Sequence, residues 1–242
     1  MVMPAAIVTC ATEFLGQPSV EALLASGYDV IAHDLAFVSA EIAEAFRQNH
    51  PGAQTSAADS PQGLVAAVMS SFGRIDTCVL NSAFPAERIP AGAMAEARLQ
   101  AAYEALVFAP LMLTNAVVPH MKAQKSGKLI FCTSAAPLRG LSNYSIYVSA
   151  RGAANAAVKS LALELAPFNI QVNAVAPNFM ESETYFPKAL MADPAASAKI
   201  LNQIPVKRLG RPEEAGGLIA YLAGPDTGFV TGQIIALAGG WA

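Results

Sequence analysis

The segment Ala5–Ser26, AAIVTCATEFLGQPSVEALLAS, decides the fold. Its opening run, Ala5–Thr9, is apolar and ends on β-branched residues, the pattern of a short strand covered on both faces. A polar turn follows, and Pro18–Ser26 reads as a helix that stops at Gly27. The same rhythm then repeats along the chain. Asp29–His33 is a strand, followed by a helix from the N-cap Ser39 to about Gln48. Gly63–Phe72 is a helix and Thr77–Asn81 a buried strand, followed by a helix over roughly Ala95–Val118 and a strand at Lys128–Thr133. Tyr147–Leu165, Gln171–Val175, Pro212–Leu222 and Ile234–Leu237 complete the alternation as helix, strand, helix and strand. Strands alternating with long helices imply an α/β fold with a doubly wound parallel sheet. No internal repeat or linker divides the chain, so residues 1–242 are read as a single domain. Pro177 to about Ile204 is the one long irregular insertion. It carries Pro187 and Pro194 and lies where a substrate lid would fit.

Composition narrows the partners. Of 242 residues, 54% are hydrophobic and 14% charged, with a net charge of -3. Typical soluble domains are about 25% charged, so ionic surface is scarce, which argues against disorder and against a basic nucleic-acid binder. A membrane span is disfavoured as well. The best stretch, Ala105–Met121, contains Pro110, Thr114, Asn115, Pro119 and His120, and reads as a helix buried in protein that ends near Pro119. Met1–Thr9 shows no basic segment ahead of a long apolar one, so a signal peptide is not expected and the cytoplasm is the expected compartment. Cys10, Cys78 and Cys132 lack metal or redox spacing and are read as buried thiols. His33, His50 and His120 are isolated, so no metal site is expected.

In such sheets ligands bind beyond the carboxyl ends of the strands, so chemistry belongs in the turns that follow them. A dinucleotide needs glycines after the first strand, where its pyrophosphate approaches the backbone. Here the turn reads Thr9-Cys10-Ala11-Thr12-Glu13-Phe14-Leu15-Gly16, and only Gly16 is left. Phe14 adds bulk and Glu13 adds negative charge. Asp34, at the end of the second strand, reads as a retained feature or a local turn residue, as does Asp59. After Lys128–Thr133 come Ser134, then Tyr147 and Arg151, the last two on one helix face. A free phenol has a reference pKa near 10, and a guanidinium held nearby favours the phenolate. Ser134 could then bind the substrate oxygen. Taken singly, the three residues could cap a turn, fill the core and carry surface charge; their joint placement argues for catalysis.

These motifs resemble the short-chain dehydrogenases/reductases over nearly the whole chain. The matches are Asn81, Ser134 and Tyr147, Asn173-Ala-Val-Ala-Pro177, Arg208-Leu209-Gly210 with Pro212-Glu213-Glu214, and Gly239-Gly240. The chain departs from that family at Cys10 and Phe14, which stand where glycines belong. Arg151 stands in place of a lysine, and Leu106 in place of an asparagine. The departures are similar to those of the halohydrin dehalogenases, cofactor-independent relatives whose first turn is Thr-x4-Phe-x-Gly and whose triad is Ser-x12-Tyr-x3-Arg. Thr9, Phe14 and Gly16 match the first, and Ser134, Tyr147 and Arg151 the second.

The resemblance implies a Rossmann-like fold, no cofactor, and reversible conversion of a vicinal haloalcohol to an epoxide, halide and a proton. It further implies a halide pocket lined by Phe14, Pro177 and Asn178, with the backbone N–H groups of Phe179 and Met180 as donors, and a homotetramer. Tyr185 and Phe186 are candidate walls. Phe84, Pro85, Pro137, Leu138, Leu141, Asn143 and Tyr144 lie in segments facing the site and are candidate shape-setting residues. Two other readings stay open: a divergent NAD(P)-dependent reductase using Ser134 and Tyr147, and a non-catalytic ligand-binding relative.

Overall fold

A computed structural model describes residues 3–183 and 185–242. The expectation for Met1–Thr9 therefore lies partly outside the described residues, as does Thr184 within the insertion. The chain runs β1 (Ala5–Val8), α1 (Gly16–Ala25), β2 (Asp29–His33), α2 (Ala40–Asn49), β3 (Ala53–Ser56), α3 (Pro61–Phe72) and β4 (Thr77–Leu80). Next come α4 (Glu96–Tyr103), α5 (Ala109–Gln124), β5 (Gly127–Cys132), α6 (Ala136–Arg139), α7 (Ser145–Leu165) and β6 (Ile170–Pro177). α8 (Lys188–Ala192), α9 (Pro194–Leu201), α10 (Pro212–Ala223) and β7 (Ile234–Leu237) complete it. The strands form one parallel sheet in the order β3-β2-β1-β4-β5-β6-β7. This is the α/β, Rossmann-like sheet expected from the sequence.

The order reverses between β1 and β4, so a crevice opens beyond their carboxyl ends, where such sheets bind ligands. β1, β4 and β6 are buried throughout. That burial explains their continuous apolar runs. One core layer, with Val20, Leu23 and Ile219, lies under α1 and α10. The other, with Leu64, Val117, Met121 and Val158, lies under α3, α5 and α7.

Four expectations need correction. β3 was not expected, because Ala-Gln-Thr-Ser has no apolar run; as an edge strand it pairs with β2 alone. α5 does not end near Pro119 but continues to Gln124, stopping at Lys125 with φ 53. Buried Val117 and Met121 on either side of Pro119 hold both turns against the sheet layer. Upstream, Glu104–Phe108 is a π-helical turn in which Ala109 N–H donates to Glu104 C=O, just before Pro110, which has no N–H to offer. The insertion is not wholly irregular. Its prolines start helices: Pro187 precedes α8, and Pro194 opens α9 behind Asp193, whose carboxylate accepts the Ala195 N–H at 2.9 Å.

The α4–α5 run, Glu96–Gln124, is long and apolar enough to cross a bilayer, and 39% of its most apolar window is buried in this chain. α5 packs one side against α3 and β5. Phe108 and Met112 are left on its outer side, half exposed.

Candidate active site

The first turn keeps a backbone shape that its side chains do not favour. Cys10 and Phe14 adopt φ 45 and 51, the left-handed region that favours glycine. Gly16 is obligatory on steric grounds: a Cβ there would lie 2.5 Å from the carbonyl oxygens of Cys10 and Ala11. Asn81, just past β4, holds the turn by donating to the Cys10 and Glu13 carbonyls at 3.0 and 2.9 Å.

That turn is a poor cradle for a dinucleotide, with Phe14 and Glu13 where a pyrophosphate needs small, uncharged neighbours. The N–H groups of Ala11, Glu13 and Gly16 donate to His33, Cys10 and Glu13 carbonyls, and that of Thr12 to Asp34. Among the described residues the N–H groups of Phe14 and Leu15, just ahead of α1, have no acceptor, so what opposes a pyrophosphate here is the bulk of Phe14 and the charge of Glu13 rather than a lack of donors. Asp34 is occupied, accepting from Thr12 N–H (3.0 Å), Thr12 Oγ1 (2.7 Å) and Ala36 N–H (3.0 Å). The local turn reading of Asp34 accounts for the Ala36 bond alone; the two bonds from Thr12, 22 positions away, tie the end of β2 to the first turn. Phe14 turns its ring to the cavity wall, 5.6 Å from the Arg151 guanidinium.

Beyond β5 the catalytic candidates come together. Ser134 is buried; its Oγ accepts the Ala136 N–H at 3.1 Å and lies 3.5 Å from the Pro177 carbonyl. The hydroxyl proton is thus weakly held and can be offered to a ligand oxygen. Arg151 is 1% exposed. Its Nε donates to Tyr147 Oη at 3.3 Å, Nη1 to Ser82 Oγ at 3.1 Å and to the Cys132 carbonyl at 2.8 Å, and Nη2 to the Ser82 carbonyl at 2.8 Å. Among the described residues no carboxylate forms an ion pair with it. A buried cation balanced only by dipoles, and by the ring faces of Phe14 and Tyr147, attracts negative charge to its surroundings. One turn on, Asn155 Nδ2 reaches the Ser134 carbonyl at 3.4 Å. Positions 147, 151 and 155 of α7 therefore form one stripe laid along the end of β5.

Ser134 and Tyr147 border a cavity of about 570 Å³. Of the expected residues, Phe14, Ser134, Tyr147, Pro177, Asn178, Phe179 and Met180 line it. So do Leu141, Tyr144, Tyr185 and Phe186. The insertion forms one wall, adding Ile200 and Gln203. Tyr185 donates its hydroxyl to the Phe84 carbonyl at 3.2 Å, and burial pushes its pKa up to about 12, so it stays a proton donor.

Several expected residues are placed elsewhere. Phe84 contributes only that carbonyl, its ring lying beneath Arg98 at 4.3 Å, and Pro85 is exposed. The short helix α6 turns Ala136 to the cavity instead of its neighbours. Pro137 packs beside Gly152 of α7, and Leu138 is half exposed. Asn143 has φ 69 and uses its carbonyl to accept the Ile89 N–H at 2.7 Å; it is a turn residue, off the cavity wall. Arg151 lies behind Tyr147 rather than on the wall.

The expected pair of anion donors also changes. Phe179 adopts φ 55, and its N–H donates to Asn178 Oδ1 at 2.9 Å, so it is already engaged. Among the described residues, the Met180 N–H and the Asn178 Nδ2 have no acceptor. Met180 is held by pairing with Gly210, where Glu181 N–H donates to the Gly210 carbonyl and Gly210 N–H to the Phe179 carbonyl. Sequence reasoning overlooked Ser82 and Asn155 as partners of the catalytic candidates. Ser82 was within reach of the strand-end rule, since it lies two residues past β4.

The cysteines are poor nucleophiles. Burial pushes the thiol of Cys10 up to about 11, that of Cys132 to about 12, and that of Cys78 higher still. Cys10 is only partly buried by exposure, contrary to the sequence reading. Among the described residues no group of three His, Cys, Asp or Glu side chains could hold a metal ion.

The model of the family described as enoyl-(acyl carrier protein) reductase matches residues 12–242. Dehydrogenase/reductase SDR family member 4 of Oryctolagus cuniculus is 31% identical over 242 residues, covering 97% of this chain and 92% of that protein. A solved structure named "Dehalogenation enzyme" is 40% identical, with 100% of both chains covered and a TM-score of 0.96. Another, a halohydrin dehalogenase bound to ethyl (2S)-oxiran-2-ylacetate, is 36% identical, covering 98% of this chain and 96% of that one, with a TM-score of 0.93.

Proposed function

The chain belongs to the short-chain dehydrogenase/reductase family of enzymes, and from that premise we propose that it is a halohydrin dehalogenase, a carbon–halogen lyase that works without a redox cofactor. The observation that carries this reading is the buried Arg151, free of any carboxylate ion pair among the described residues and bonded to the Tyr147 oxygen beside a first turn filled by the Phe14 ring. The likeness to two dehalogenase structures supports it.

Ser134 donates a hydrogen bond to the substrate hydroxyl oxygen, and Tyr147 Oη takes its proton. Arg151 Nε stabilises the negative charge on the Tyr147 oxygen before that transfer. The substrate oxygen closes on the neighbouring carbon as the carbon–halogen bond breaks, a step favoured because both groups sit on one molecule. The departing halide is received between Phe14, Pro177 and Asn178, with Met180 N–H and Asn178 Nδ2 as donors that bring no competing charge. In reverse, a small anion held there opens an epoxide and Tyr147 returns the proton.

The protein assembles as a homotetramer in this reading. One copy exposes 11491 Å², against about 10,300 Å² from mass scaling, and leaves Phe108, Met112, Leu163, Tyr221 and Phe229 exposed. Light scattering should give about 100 kDa, four times the 25.1 kDa chain.

The functional test is halide release from 1,3-dichloro-2-propanol by nucleotide-free protein, compared with Tyr147→Phe. Release by the wild type and loss of at least about 100-fold in the variant, with the fold intact, is expected. Saturable NAD(P)H binding with no release would favour a reductase; binding of haloalcohol without turnover would favour a non-catalytic relative.

A further inference from the structure

The cavity is larger than the chemistry at its floor requires. About 570 Å³ lies in the range of clefts that enclose drug-sized ligands, roughly 300–1,000 Å³, whereas a simple haloalcohol has only a few heavy atoms. Its lining also changes with depth. Ser134, Tyr147 and Met180 at the floor are buried; Arg88, Ser142 and Gln203 at the mouth are exposed.

Arg88 is the open charge of that mouth. Its neighbours are paired off: Arg98 donates to both carboxylate oxygens of Glu87, at 2.8 and 2.5 Å. Arg88 itself has no hydrogen bond or ion pair among the described residues. Glu181, the other charged residue on the wall, has no ion pair among the described residues, since the nearby Arg208 is taken by both carboxylate oxygens of Glu214. The backbone beside Arg88 is tethered, because Ile89 N–H donates to the Asn143 carbonyl at 2.7 Å, fixing it to the loop that carries Ser142 and Tyr144.

We propose that Arg88 anchors a carboxylate at the remote end of the substrate, so that the preferred substrates are carboxylate-bearing haloalcohols and their epoxides, such as 4-chloro-3-hydroxybutanoate. This rests on the dehalogenase reading. The hydroxyl proton passes to Tyr147, the oxygen–carbon bond forms as the carbon–chlorine bond breaks, chloride leaves, and the carboxylate is unchanged at the mouth.

The test compares kcat/KM for 4-chloro-3-hydroxybutanoate and the neutral 1-chloro-2-butanol in the wild type, Arg88→Gln and Arg88→Lys. An exposed charge pair supports about a five-fold preference for the carboxylate, lost in Arg88→Gln through KM and partly restored in Arg88→Lys. The neutral substrate should stay within about two-fold throughout, and sodium sulfate should weaken the preference by screening. Turnover of the neutral substrate with no carboxylate preference, or an equal loss on both substrates in Arg88→Gln, overturns this inference alone. No turnover of either substrate, or of 1,3-dichloro-2-propanol, overturns the dehalogenase reading and this inference with it.

Discussion

Replacing Arg151 by lysine keeps the charge and removes the fork. The guanidinium spreads four hydrogen bonds over two of its edges: Nε to Tyr147, and the two terminal nitrogens to Ser82 and Cys132. A lysine ammonium radiates its donors from one atom and cannot serve the phenol and both carbonyls together. A hydrogen bond from a charged group is worth about 1.5–3 kcal/mol. Since that bond supports the phenolate form of Tyr147 that must be in place before it can take the proton, losing it should lower kcat by roughly 10- to 150-fold, with KM little changed. One buried carbonyl left without its donor costs about 2 kcal/mol, or a fall in Tm of about 4–8 °C for a chain of this size. Initial rates of halide release, together with calorimetry on the same samples, measure both effects. A kcat within about three-fold of wild type would show that the guanidinium does not support Tyr147. A normal Tm would show that its bonds to Ser82 and Cys132 contribute little to stability.

Two further substitutions probe the frame around the site. Gly16→Ala places a Cβ at 2.5 Å from two backbone carbonyls and should cost about 3 kcal/mol, read as a Tm lower by about 6–12 °C; an unchanged Tm would mean the first turn can shift. Glu214 is held down to about 2 by the Arg208 guanidinium, which also braces the segment that pairs with Met180. Its folded value lies below the ordinary carboxylate value, so its stabilisation is full above about pH 5 and fades as pH falls through about 2. The Tm gap between wild type and Glu214→Gln should accordingly be constant at neutral pH and shrink in acid; a gap that grows in acid contradicts the pairing.

The parts of the fold readable from the sequence were those whose signal is local. Buried strands such as Leu129–Cys132 betray themselves by uninterrupted apolarity, and Ser39 and Gly27 mark helix ends by their own backbone chemistry. β3 escaped because an edge strand can be polar, and α5 ran on through Pro119 because burial on both sides outweighed the local breaker. At the site, Ser134, Tyr147 and Arg151 were legible from their spacing on a strand end and a helix. The partners of Arg151 were not, because Ser82 and Cys132 reach it through tertiary contact over 69 and 19 positions of sequence. Likewise, no pattern along residues 177–180 announces that the Phe179 N–H turns back to Asn178 and leaves Met180 as the free backbone donor. The shape-setting residues were the least legible, since the direction of Pro137, Leu138 and Asn143 is fixed by the short helix α6 and a left-handed turn.

The decisive measurement is the stoichiometry of nucleotide-free turnover. With 1,3-dichloro-2-propanol as substrate, chloride is followed by ion chromatography and acid by pH-stat, while the organic product is identified in the same reaction. Ring closure by Tyr147 and intramolecular displacement should give one chloride and one proton for each epoxide formed, with no dependence on added NAD(P)H. Chloride release that requires a nucleotide, or no release from several haloalcohols by folded protein, would contradict it.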